Sequence, residues 1–122
     1  MTDPTNVIDT FERAQVLALG MLRLAPDPAP VNRQDMSVPL LATLLYAASP
    51  GELDAGLAWV QETVSAMAAG EMFAPPVNIP DCVARKAVRI QSLNTRQKLS
   101  IYAAVQGAIA PWVSTTAGAQ CA

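Results

Sequence analysis

Ten carboxylates, two cysteines and no histidine are the groups from which this 122-residue chain could build a reactive site. Without histidine there is no His-based triad, no Cys-His dyad and no imidazole metal ligand. Cys82 and Cys121 lack the CxxC spacing and cannot make a zinc site by themselves. In a reducing compartment, Cys82 reads as a small buried hydrophobe and Cys121 as part of a terminal tail. The carboxylates are scattered singly. The closest pair, Glu52 and Asp54, falls on one opening helical turn, where the helix dipole favours acids. Neither a GxGxxG nor a GxxxxGK[ST] phosphate loop occurs. The expectation is a protein that is not an enzyme and uses no cofactor and no metal. A thiol or lone-carboxylate enzyme ranks last among the alternatives.

The charges are more informative than their sum. Charged residues make up 15% of the chain and the net charge is −2, whereas a globular chain usually has about 25% charged residues. All ten acids lie between Asp3 and Asp81, with only Arg13, Arg23 and Arg33 among them, a net −7. From residue 82 onward there are five cations and no acid. Arg85, Lys86 and Arg89 cluster within little more than one turn, and Arg96 returns near the same face if the helical phase continues. Such a cluster could contact phosphates, which makes a small nucleic-acid-binding protein one alternative. The pI near 4.9, the shortness of the cluster and the lack of an interleaved aromatic argue against it. A solvated helix face is the commoner meaning. Pairing with acids of the fold itself, or with an acidic protein, is the other.

These groups must be carried by helices, since no segment shows sustained two-residue alternation. Ten prolines punctuate the chain. Asp3-Pro4 reads as a cap and first position of a helix running to about Ala25, followed by a proline-rich connector over 26–30. Ser37 reads as the cap of a second helix, with Pro39 in its first turn. Its stretch from Val38 to Ala48 is apolar on nearly all sides and belongs at the centre of the domain. Ser49-Pro50-Gly51-Glu52 reads as a capping box for a third helix ending at Gly70, with Leu53, Leu57, Val60, Val64 and Met67 as its apolar seam. A fourth helix is expected from Asp81 to about Leu93. Asn94 and Gln97 cap a fifth from Thr95 to about Ala110, with Ile101, Val105, Ala108 and Trp112 as its apolar face. The fold class is therefore all-α, a compact bundle of about five helices in one domain over 1–113, with a flexible tail over 114–122.

The first helix has a wider apolar arc than one buried stripe requires. Val7, Phe11, Ala14, Ala18 and Met21 form the stripe; Ile8, Leu19 and Leu22 widen it on one flank, Leu17 and Leu24 on the other. Either this helix is wedged among its neighbours, or part of the arc packs on a second protein. The second reading selects Ile8, Phe11, Leu19 and Leu22, with Arg85, Lys86, Arg89 and Arg96, as protein-interaction residues. A homodimer would satisfy it.

In size, in its opening helix MTDPTNVIDTFERAQVLALGMLRL, in its alanine- and leucine-rich body and in its lack of catalytic chemistry, the chain resembles the small helical antiactivators of LuxR-type quorum-sensing regulators, the QslA kind. The resemblance implies a protein that binds the ligand-binding domain of a LuxR-type transcription factor and blocks its dimerisation. No residue roles carry over, because no shared motif defines them. A phage or mobile-element accessory protein is a further alternative. The polar, acidic start is the reverse of a secretory leader, and no apolar run approaches the roughly twenty residues of a membrane span. A cytoplasmic protein without membrane contact is expected.

Overall fold

The computed structural model describes residues 4–25, 30–49, 52–53, 55–72 and 79–121, without the side chains of residues 4, 6 and 113–121. Among the described residues there are five α-helices and no strand: α1 (Phe11–Arg23), α2 (Val31–Ala48), α3 (Gly56–Ala68), α4 (Asp81–Gln91) and α5 (Thr95–Cys121). The all-α bundle is as expected. Its centre is α2, where six consecutive residues from Leu40 to Leu45 are fully buried. Burial on every side requires neighbours on every side, and α2 packs against α1, α3, α4 and α5. Thr43 tolerates this position because its hydroxyl donates to the Pro39 carbonyl at 2.6 Å, so no buried hydroxyl goes unsatisfied. Ala14, Ala18, Met21 and Leu22 of α1 close one side of the core, and Ile101, Tyr102, Val105 and Ile109 of α5 close another.

Helix starts are where the structure departs from the expectations. The chain opens with a 3-10 turn at Pro4–Val7, and Ile8 then turns inward to 3% exposure. The helix restarts at Phe11, capped by Thr10, whose hydroxyl accepts from the Arg13 N–H at 3.2 Å. Thr10 satisfies an otherwise orphaned donor. Asp3, the expected cap, lies outside the described residues, as does most of the 26–30 connector.

The second helix begins at Val31 rather than after Ser37. Ser37 is fully buried inside it, donating to the Arg33 carbonyl at 2.7 Å. Pro39 therefore sits in the helix interior, where it deprives the Asp35 carbonyl of its helical donor. Asp35 is exposed, so water can replace that donor.

Ser49 does not open α3. It terminates α2, and its hydroxyl donates back to the Tyr46 carbonyl. Glu52 accepts from the Tyr46 hydroxyl instead of completing a capping box. Two backbone bonds tie the chain after Ser49 back to α2, Leu53 N–H to Ala47 and Ala55 N–H to Ala48. Leu53 is consequently 61% exposed and leaves the seam, while Leu57, Val60, Val64 and Met67 remain buried. Gly56 has φ 78° at the entry to α3, a conformation glycine adopts without strain. Pro50, Gly51 and Asp54 lie outside the described residues.

The end of α3 and the start of α5 follow the sequence reading. Gly70 has φ 110°; its N–H donates to Met67, and that of Glu71 reaches back to Ala66, the paired bonds of a Schellman stop. Asn94 caps α5, its side-chain oxygen accepting from the Gln97 N–H at 2.9 Å. The fifth helix then continues through Pro111 to Cys121, eleven residues beyond the expected end at Ala110. Beyond Pro111 its sequence contains no second proline, and a single proline removes one hydrogen bond without forcing termination.

Candidate interaction surfaces

The expected interaction residues divide between the core and the surface. Ile8 and Leu22 belong to the core at 3% and 2% exposure. Phe11 is half-buried, with its ring edge-on to Tyr46 of α2 at 5.7 Å and 78°, so it locks α1 to α2. Leu19 is half-buried. The flank of α1 expected to face a partner therefore faces mainly the chain's own helices.

The opposite flank is open. Val16 is 73% exposed and Leu24 is 75% exposed, with Val7 of the preceding turn at 55%. Val7, Thr10, Glu12, Arg13, Val16 and Leu17 line a shallow concavity of about 500 Å³. The break at Ile8–Asp9 creates it, because redirecting the chain there sets Val7 beside the first two turns of α1. Asp9 holds Arg13 in an exposed ion pair at 3.1 Å, and Glu12 is exposed beside them. The sequence reading missed Val16 because it lies off the main stripe and the break was not anticipated.

The second surface is the outer face of α4. Val83, Ala87 and Ile90 turn inward, leaving Cys82, Arg85, Lys86, Val88 and Arg89 exposed. Cys82 is thus not a buried hydrophobe: a helix burying 83, 87 and 90 must present 82 outward. Arg85, Lys86, Arg89 and Arg96 form no ion pair among the described residues. The two oppositely charged parts of the sequence are not joined by a salt bridge there.

No family model, curated protein or solved structure matches the chain.

Among the described residues, no three His, Cys, Asp or Glu side chains are grouped to hold a metal ion. No described helix is long and apolar enough to cross a membrane. Burial raises the proton affinity of Tyr102. Burial first, then the Glu52 charge and the hydrogen bond to Glu52, raise that of Tyr46. Both tyrosines belong to the packing of the bundle and lie outside the two surfaces.

Proposed function

We propose that this chain is a non-enzymatic interaction protein that docks on another protein through the apolar concavity at the start of α1. The observation that supports this is the grouping of Val7 and Val16, both more than half exposed, with Leu17 in one concavity on a rigid helix. Single exposed valines are ordinary; a concave group of them with a polar rim has the anatomy of a docking site. An apolar side chain inserted there removes water from both partners, worth about 25 cal/mol per Å² of apolar surface. Arg13 and Glu12 at the rim supply orientation more than affinity.

The resemblance of the sequence to helical antiactivators makes the partner the ligand-binding domain of a LuxR-type regulator, met in the cytoplasm. Occlusion is then the mechanism: the chain covers apolar surface that the regulator needs for its own dimerisation. Gel filtration of such a domain with and without the chain tests this. The expected result is a regulator dimer converted to a mixed complex by the wild type and left intact by Val16→Glu, with both proteins equally helical. Equal binding by the wild type and Val16→Glu, or binding by neither, contradicts the proposal.

A further inference from the structure

Arg85, Lys86 and Arg89 are exposed together on the outer face of α4, with Val88, 44% exposed, at the edge beside Arg85. Three like charges within little more than a turn repel one another and are favoured by an external acid. The helix's own acid, Asp81, stands one turn before Arg85, yet no ion pair joins them among the described residues. The face is therefore cationic with an apolar edge. The concavity on α1 has the complementary character. Its floor is Val7, Val16 and Leu17, Asp9 occupies Arg13, and Glu12 is left as an exposed carboxylate at the rim.

We infer that the cationic face of α4 docks in the α1 concavity of a second copy of this chain. The inference rests on the reading of that concavity as a docking site and gives it, in the free protein, an occupant that a regulator would displace. Opposite charge supplies the attraction: the exposed Glu12 at the rim of one copy meets the exposed Arg85, Lys86 and Arg89 of the other. Each copy carries one face and one concavity, so two such contacts would close a two-fold pair. Nucleic acid fits less well. The acidic part of the chain repels phosphates, and no aromatic residue of α4 offers a stacking surface.

Sedimentation velocity on the full chain tests this, with two variants that reverse opposite partners. One is Arg85→Glu/Lys86→Glu/Arg89→Glu; the other is Glu12→Lys, which turns the rim positive. All four positions are exposed, and circular dichroism checks that each variant keeps its helices. The wild type should shift from monomer to dimer as concentration rises at low salt. It should return to monomer in molar salt, where charges are screened beyond about 3 Å. Each variant alone should stay monomeric at concentrations where the wild type pairs. An equimolar mixture should regain the dimer, because each reversed face then meets a reversed or a native complement. A wild type that is monomeric at every concentration and salt overturns the inference, as do variants that dimerise like the wild type. So does a monomer that binds duplex DNA through the same three cations. A monomeric wild type whose regulator binding is still lost in Val16→Glu removes this inference alone and leaves the docking reading in place.

Discussion

The second and fourth helices are built on opposite plans. From Leu40 to Leu45, α2 buries every residue, including Thr43, and touches all four other helices. In α4, one narrow stripe is buried and the rest of the circumference carries cations, Val88 and a thiol. A helix surrounded on all sides can evolve only for packing. A helix with one committed side is free to carry recognition on the other. Stability should therefore concentrate in α2 and binding in α4 and the open flank of α1.

Substitutions that test this division should range widely in effect. Leu44→Ala in α2 should cost about 2–5 kcal/mol in chemical denaturation, since a fully enclosed site cannot collapse around the missing atoms. A cost below that of a surface change would mean that α2 is not the centre. Asn94→Ala, which removes the cap between α4 and α5, should cost about 1 kcal/mol. Gly107 and Gly20 have open space where a Cβ would stand. Alanine at either should therefore raise stability by about 0.5–1 kcal/mol. Reversing Arg85, Lys86 and Arg89 should change stability by no more than about 0.5 kcal/mol per site while abolishing self-association.

Alkaline titration sharpens the comparison from the α2 side. Tyr46 is held protonated by burial and by Glu52. The unfolded chain loses that proton near pH 10, before the folded one does. Above that point the folded state binds more protons, and stability must fall as pH rises; below it the contribution is fully present. Denaturation midpoints from neutral pH upward should show this decline, and Tyr46→Phe should make it shallower.

Much of the bundle is legible in the sequence because local and tertiary demands coincide. Asn94 offers a cap, and α5 starts there; Gly70 offers a left-handed stop, and α3 stops there. Legibility fails where one residue can serve either of two helices. Ser49 has the chemistry to open α3 and the position to close α2, and packing of the chain back onto Ala47 and Ala48 decides for the second. Ser37 looks like a cap only if Pro39 must sit in a first turn, an assumption overridden by the buried bond from Ser37 to Arg33. The cationic face of α4 is readable from residue spacing alone. The α1 concavity is not, because it depends on the break at Ile8 and Asp9, where the apolar pattern runs on but the helix does not. The same break takes Val7 out of the expected stripe and leaves it exposed near Val16.

Hydrogen exchange at low and high protein concentration tests the division of labour most directly. The account predicts that amides of residues 40–48 exchange slowly and equally at both. Those of residues 7–17 and 82–91 should gain protection as copies associate. Unchanged exchange in both outer segments, or new protection confined to other parts of the chain, would contradict it.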